Sequence, residues 1–145
     1  MKKFVYSMQS ILNLQLELED QQKAAFREAN EKLHEEEEIL RAMMQKQAEY
    51  EKQLKELMCG TIDLQEVRTT KHGIDIMKSR VRTQMFAVHM AEKNVEAARI
   101  RLTEAMIDRK TQERMKEKAF EEYKKELLQE EMKEIDELVS YRHSV

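Results

Sequence analysis

The chain of 145 residues contains no proline and only two glycines, Gly60 and Gly73. Proline breaks helices and glycine weakens them, so a sequence this poor in both favours long uninterrupted helices. Gly60 lies at a break between two long heptad patterns. The sequence therefore predicts two long helices that fold back on each other at this glycine.

The composition supports a coiled coil over a globular core. Charged residues make up 38% of the chain, apolar residues 41%, and there is no Trp. Two packed helices share only a narrow seam, so most charged side chains are expected in water. We predict an all-α fold with one domain spanning 1–145, a long antiparallel two-helix coiled-coil hairpin with a C-terminal helical overhang. The expected elements are a helix over about 4–58, a turn over 59–63 and a helix over about 64–140.

Both arms carry apolar positions spaced alternately by three and four residues, the spacing of a coiled-coil seam. In the first arm two successive spacings of four form a stutter at Ala25, Ala29 and Leu33. The predicted first seam is Phe4, Met8, Ile11, Gln15, Leu18, Gln22, Ala25, Ala29, Leu33, Glu36, Leu40, Met43, Gln47, Tyr50, Leu54 and Leu57. The predicted second seam is Val67, Thr70, Ile74, Met77, Val81, Gln84, Val88, Ala91, Val95, Ala98, Leu102, Ala105, Arg109, Gln112, Lys116, Ala119 and Tyr123.

The segment between the arms has the residues of a helix end and a helix start. Gly60 can adopt the left-handed conformation that terminates a helix. Asp63 followed by Glu66 matches a capping box, which places the second helix start near Leu64. Gly73 lies inside that second helix, either as a tolerated glycine or as a bend near the turn.

The charge distribution argues against nucleic acid and membrane surfaces as ligands. Residues 1–60 carry nine Lys/Arg and twelve Asp/Glu, residues 61–118 thirteen and nine, and residues 119–145 four and eight. An acidic first arm facing a basic second arm is suited to pairing within the chain, and it leaves no uncompensated basic face. The single cysteine, Cys59, and the absence of a long apolar stretch favour a reducing compartment, which we take to be the cytoplasm.

The second arm is longer than the first, so its end from about residue 119 to 140 should extend past its partner. This overhang retains apolar side chains that need a covering surface, in this chain or in another. They are Phe120, Tyr123, Leu127, Leu128, Met132, Ile135, Leu138 and Val139. The overhang is the strongest indication in the sequence that the protein binds a partner.

The residues give little support for catalysis, a cofactor or a metal. His34, His72, His89 and His143 are far apart, and His89 with Glu92 would need ligands from four helices to hold a di-metal centre. Cys59 has no neighbouring base, and no glycine-rich phosphate loop is present. A separate group of methionines falls outside the seams, where it either contacts partners or packs beside the seam; it comprises Met44, Met85, Met90, Met106 and Met115. We predict a protein that is not an enzyme.

Three stretches together resemble the FliJ family of the bacterial flagellar type III export apparatus. FVYSMQSILNL (4–14) is similar to the family's opening, and RKTQERMKEK (109–118) to its Lys/Glu-alternating segment. MKEIDELV (132–139) and YRH (141–143) resemble its closing signature. The order of these stretches and their positions near both termini make the resemblance specific.

The resemblance implies a stalk similar to the gamma subunit of rotary ATPases, with three kinds of partner. The end that holds both termini would enter the hexamer of the flagellar export ATPase and promote its assembly, through Phe4, Met8, Ile11, Phe120, Tyr123, Leu127, Glu131, Ile135, Asp136 and Leu138. A second face would contact the export gate membrane protein through Met43, Lys46, Tyr50, Ile74, Met77 and Val81. Several of these also lie on the seams, where burial is the alternative. The family also binds flagellar export chaperones.

The implied location is the cytoplasm at the inner face of the membrane, at the flagellar base, with membrane association only through partners. Two alternatives fit the same residues. One is the stalk subunit of an injectisome or a rotary ATPase, which only the partner ATPase would distinguish. The other is a generic coiled-coil scaffold whose seams pair between chains.

Overall fold

The computed structural model describes residues 2–144 and confirms the predicted helical hairpin. Helix α1 runs Gln9–Leu57 and helix α2 runs Leu64–Ser144, and the described part of the chain contains no strand. The helices pack against each other in opposite directions. The chain divides into two compact units, the turn unit (23–101) and the terminal unit (2–22 with 102–144). The single domain over 1–145 stays a prediction.

In the turn unit, α2 supplies most of the buried side chains, and α1 supplies half-buried ones. The buried α2 positions follow the predicted seam: Val67, Ile74, Met77, Val81, Val88, Ala91 and Ala98. Facing positions on α1, such as Leu33, Leu40 and Leu54, are half-buried. Burying such side chains stabilises the unit by about 25 cal/mol per Å² of apolar surface removed from water.

One polar residue of the turn-unit seam joins the two helices. The side-chain amide of Gln84 donates to the main-chain carbonyl of Glu36 at 2.9 Å and to its carboxylate at 2.5 Å. The Lys32 ammonium binds the same carboxylate at 3.0 Å. The hydrogen bond from Gln84 and then that from Lys32 lower the pKa of the Glu36 carboxyl below its ordinary value. Such a contact forms only when positions 36 and 84 are opposite each other, so it favours one register.

The turn has the predicted geometry at both of its ends. Gly60 adopts a φ of +78°, the left-handed conformation in which a glycine ends a helix. The Asp63 carboxylate accepts from the backbone N–H of Gln65 at 2.9 Å and of Glu66 at 3.4 Å. This cap satisfies two of the donors that a helix leaves open at its start, and α2 begins at Leu64 as expected.

Helix α2 continues through Gly73, which favours the tolerated glycine over the bend. A Cβ built on Gly73 would lie 3.9 Å from Cε2 of Tyr50, an ordinary van der Waals distance. The seam at this position therefore has room for a methyl group.

The first helix begins five residues later than predicted. Residues 3–6 are not helical, and Gln9 donates its backbone N–H to the Tyr6 carbonyl at 3.1 Å as α1 starts. An extended chain advances about 3.3 Å per residue, against about 1.5 Å in a helix. The non-helical segment therefore reaches farther along α2 than the predicted helix could, and this packing outweighs helix propensity.

The start of the first seam also differs from the prediction. Leu12 is 5% exposed and belongs to the core, whereas Ile11 is 41% exposed. Buried or half-buried positions run back from Leu33 in unbroken steps of four and three, at 29, 26, 22, 19, 15 and 12. The seam therefore continues without the predicted stutter at Ala25, Ala29 and Leu33, and Leu12 takes the position predicted for Ile11. Both arms of the predicted seam otherwise follow buried or half-buried positions.

A charged cluster lies within the terminal-unit seam. Glu19 is 5% exposed, and its carboxylate accepts from Nε of Arg109 on α2. Arg109 also donates from Nη1 to Glu113 at 2.9 Å. The hydrogen bonds to Glu19 and then to Glu113 raise the pKa of the Arg109 guanidinium. Because removing one partner would leave a buried charge, this pair constrains the register of the unit.

We predict opposite effects for alanine at the two glycines. Gly73→Ala should raise the free energy of unfolding by about 1 kcal/mol, because helical glycine is disfavoured and the seam has space. Gly60→Ala should lower it by about 1–2 kcal/mol, because a Cβ strains the left-handed conformation. Urea denaturation followed by circular dichroism measures both. A loss of stability in Gly73→Ala would show that the contact with Tyr50 tolerates no methyl group.

The pKa of the Glu36 carboxyl provides a second prediction. Gln84→Ala should raise the NMR titration midpoint of Glu36 partway toward 4.5, while Lys32 maintains part of the lowering. Since the lowered pKa favours the ionised form, Glu36 stabilises the fold above about pH 4.5, and this contribution is lost as pH falls through its folded pKa. Glu38, whose pKa is lowered by its hydrogen bond to Arg41, is the control and should not move. An unchanged Glu36 midpoint would exclude Gln84 as the main cause.

Candidate partner-binding surfaces

The N-terminal segment (residues 2–7) lies against α2 in the terminal unit and is held there by aromatic side chains. The ring of Phe4 meets Phe120 edge to face, with centroids 5.1 Å apart, and Tyr123 at 5.4 Å. The Tyr123 hydroxyl donates to the main-chain carbonyl of Lys2. The Tyr6 hydroxyl donates to the side-chain carbonyl of Gln112 at 2.9 Å. These contacts dock a segment that has no helical hydrogen bonds of its own.

An open groove of about 350 Å³ follows the line where this segment meets α2. Its walls carry both signs of charge, with lysines from the segment and carboxylates from the helix. The lining residues include Lys2, Lys3, Glu122, Glu126 and Glu130. A groove this open and this mixed in charge is suited to a polypeptide surface more than to an enclosed small molecule.

The overhang is shorter than predicted, because the N-terminal segment covers its first part. Ala119, Tyr123 and Leu127 are half-buried, and every position of 128–144 is exposed. We call residues 128–144 the overhang from here on. Its large apolar side chains are 49–70% exposed: Leu128, Met132, Ile135, Leu138, Val139 and Tyr141.

The residues predicted to contact the ATPase ring divide into two groups within the terminal unit. One group belongs to the docked segment and its surroundings, where the side chains are mostly half-buried: Phe4, Met8, Ile11, Phe120, Tyr123 and Leu127. Of these, Ile11 and Phe120 are about two-fifths exposed. The other group lies in the exposed overhang: Glu131, Ile135, Asp136 and Leu138. The second group is directly available to a partner.

The residues predicted to contact the export gate lie mainly in the turn-unit seam. Ile74, Met77 and Val81 are buried, Met43 and Tyr50 are half-buried, and Lys46 is exposed. Side chains that hold the two helices together cannot meet a partner while the hairpin is closed. Lys46 is therefore the most accessible member of this set, and the gate contact stays a prediction.

The sequence also carried a signal that the heptad pattern obscured. Phe4 and Tyr6 are two residues apart, the spacing of an extended segment with one buried face, and this pattern precedes the first regular heptad. In the structure both side chains contact α2, the ring of Phe4 against Phe120 and the hydroxyl of Tyr6 at Gln112. The buried Glu19 was missed because the heptad pattern placed Leu18 on the seam, and Leu18 is half-buried.

Four further features of the described residues concern acidic or thiol clusters, helix hydropathy, the cysteine and the methionines outside the seams. Residues 2–144 hold no group of three or more His, Cys, Asp or Glu side chains that could bind a metal ion. Neither helix of that part of the chain is long and apolar enough to cross a membrane. Cys59 is exposed at the turn. Among the methionines outside the seams, Met44, Met85, Met90 and Met115 are exposed, whereas Met106 is half-buried.

The model of the family described as flagellar FliJ protein matches residues 4–145. No curated protein matches the sequence significantly. Among solved structures, CT670 of Chlamydia trachomatis, described as a candidate YscO homologue, is similar with a TM-score of 0.75 and 22% identity. That alignment covers 98% of this chain and 96% of CT670. At this identity the likeness establishes a shared fold.

The aromatic docking of the N-terminal segment is testable by substitution. Phe4→Ala removes both ring contacts and should lower the free energy of unfolding by about 1–2 kcal/mol. It should also speed amide hydrogen exchange in residues 2–7. Val5→Ala is the matched control, because Val5 is 80% exposed and should change neither quantity. Equal effects of the two substitutions would contradict the docking role of Phe4.

Proposed function

The chain belongs to the flagellar FliJ protein family, and from that membership we propose that it acts as a non-enzymatic stalk in the hexameric flagellar export ATPase. Membership associates it with the type III export apparatus of the flagellum. The observation that carries the stalk proposal is the overhang, a helical segment with six large apolar side chains exposed. Apolar surface of this extent favours a partner that covers it.

A stalk acts on a ring through differential contact. A helix presents different side chains around its circumference, so each ATPase subunit meets a different face. Subunits that make unequal contacts shift toward different states, which promotes ordered assembly and turnover without tight binding. The exposed side chains of Ile135 and Leu138 provide the apolar part of such contacts.

The acidic residues of the overhang supply the electrostatic part of the proposal. Residues 128–144 carry five Asp/Glu and two Lys/Arg. Glu131 and Asp136 are exposed and are the members of this group that we propose to face basic pore loops of the ATPase. A contact between exposed charges should weaken as salt rises.

The remaining partners follow from family membership. We propose that the turn unit contacts the export gate membrane protein, with Lys46 as its accessible residue, and that the protein also binds flagellar export chaperones. Its proposed location is the cytoplasmic side of the membrane at the flagellar base. The scaffold alternative is not favoured, because both seams are occupied within one chain. An injectisome stalk shares this fold, and the cognate ATPase distinguishes the two systems.

The decisive measurement is ATP hydrolysis by the cognate export ATPase, titrated with this protein. Ile135→Ser combined with Leu138→Ser should raise the protein concentration that gives half-maximal stimulation by at least about tenfold, because two apolar contacts are lost. Ile62→Ser combined with Leu64→Ser is the matched control, since both side chains are exposed at the turn. A chain ending at Leu127 keeps the aromatic contacts of Phe4 and should not stimulate.

Two outcomes would contradict the stalk proposal. One is stimulation by the chain ending at Leu127 equal to that of the full chain. The other is the absence of stimulation by the full chain at any concentration of this protein in the titration.

A further inference from the structure

A second exposed apolar run lies on α2, within the turn unit and away from the hairpin seam. Phe86, Met90 and Ile100 are 41–65% exposed. Arg82 lies four residues before Phe86, and Lys93 lies three residues after Met90, so both charges adjoin these apolar side chains. We call these five residues the basic patch. Neither Arg82 nor Lys93 forms an ion pair within residues 2–144.

The overhang presents a run of complementary character. Leu128, Met132, Ile135 and Val139 are all exposed, and they form the apolar strip. Glu131 lies three residues after Leu128 and four before Ile135. Asp136 lies four residues after Met132 and three before Val139. Each flank of the strip thus carries a carboxylate, and neither carboxylate has an ion-pair partner in the described chain.

The two runs match in spacing as well as in charge. Phe86, Met90, Lys93 and the half-buried Ala97 are separated by four, three and four residues, as are Leu128, Met132, Ile135 and Val139, so Lys93 occupies one position of the first run. This is the spacing with which two helices form a shared seam. At about 1.5 Å per residue, each run is about 17 Å long. The α2 residues of the turn unit carry eight Lys/Arg against four Asp/Glu, opposite in sign to the overhang.

We propose that the overhang of one copy docks on the basic patch of a second copy. Both runs belong to the continuous helix α2, and two stretches of one helix cannot lie side by side, so the contact joins two chains. The apolar side chains of the two runs pack together, while Lys93 of one copy lies beside Glu131 and Asp136 of the other, and Arg82 adds a second positive charge at the end of the basic patch. This contact adds a self-associated state to the proposed function and does not depend on it.

Charge distinguishes this occupant from an anionic membrane surface. The basic patch places Arg82 and Lys93 among its apolar side chains, on one face of the helix. A membrane-surface helix separates an apolar face from a basic face. The chain itself supplies a partner helix of matching length, spacing and opposite charge.

Sedimentation velocity of the full chain over a range of concentration and salt tests the proposal. The wild type should self-associate, less at high salt. Arg82→Glu with Lys93→Glu should weaken association by at least about tenfold, and so should Glu131→Lys with Asp136→Lys, because each turns attraction into repulsion. One chain carrying all four substitutions restores the complementarity with signs exchanged and should associate again. Lys52→Glu on α1, also an exposed lysine, should have no effect.

Three results would overturn the proposal. They are a monomer at every concentration, association insensitive to both charge reversals, and failure of the four-substitution chain to associate while its circular dichroism remains helical. Flotation with phosphatidylglycerol vesicles tests whether an anionic membrane surface binds the basic patch instead. Binding that Arg82→Glu with Lys93→Glu abolishes, in a chain that stays monomeric, would assign the basic patch to the membrane and exclude the second copy.

Discussion

The packing of α2 onto α1 along one heptad seam is the interaction on which the rest of the structure depends. In the turn unit, mostly small or β-branched side chains of α2 are buried against half-buried side chains of α1, and in the terminal unit Leu12 of α1 and Ala105 of α2 are both buried. Most side chains outside the seam are exposed, so the seam supplies most of the apolar burial available to either unit. Helices of this length are not held in one arrangement by intrinsic propensity alone, and packing of one face selects the hairpin.

Polar residues within the seams restrict the ways in which the helices can pair. Apolar heptads alone tolerate slips of one repeat, because each layer resembles the next. Gln84 bonded to Glu36 in the turn unit and Arg109 bonded to Glu19 in the terminal unit do not tolerate such a slip. A slip would leave an amide or a charge buried without its partner, at a cost of a few kcal/mol.

The terminal unit combines a docked segment with an uncovered helix, and this combination underlies both proposals. The ring of Phe4 and the hydroxyls of Tyr6 and Tyr123 hold the N-terminal segment on α2. Beyond Leu127 the helix has no such cover, and its apolar strip remains available. A ring of ATPase subunits and the basic patch of a second copy would compete for this overhang. Self-association would then keep the strip covered until the ring is reached.

Local patterns in the sequence determined the helices, the turn and most of the seam. The absence of proline, the heptad spacing, Gly60 and the cap at Asp63 act through neighbouring residues, so their consequences can be predicted without a tertiary structure. Three stretches near the termini and on α2 were enough to indicate the family. The exposed residues of the overhang were also predictable, because an unequal hairpin leaves the end of its longer arm without a helical partner.

Tertiary packing decided the features that depend on residues far apart in sequence. The non-helical N-terminal segment forms because Phe4 and Tyr6 gain contacts with α2 that a helix starting at residue 4 would not reach. Packing against α2 also follows an unbroken heptad in α1, which places Leu12 and not Ile11 in the core. The burial of Glu19 likewise requires Arg109, ninety positions away. Heptad spacing identifies which residues share a helix face, but packing against the other helix decides which of their side chains are buried.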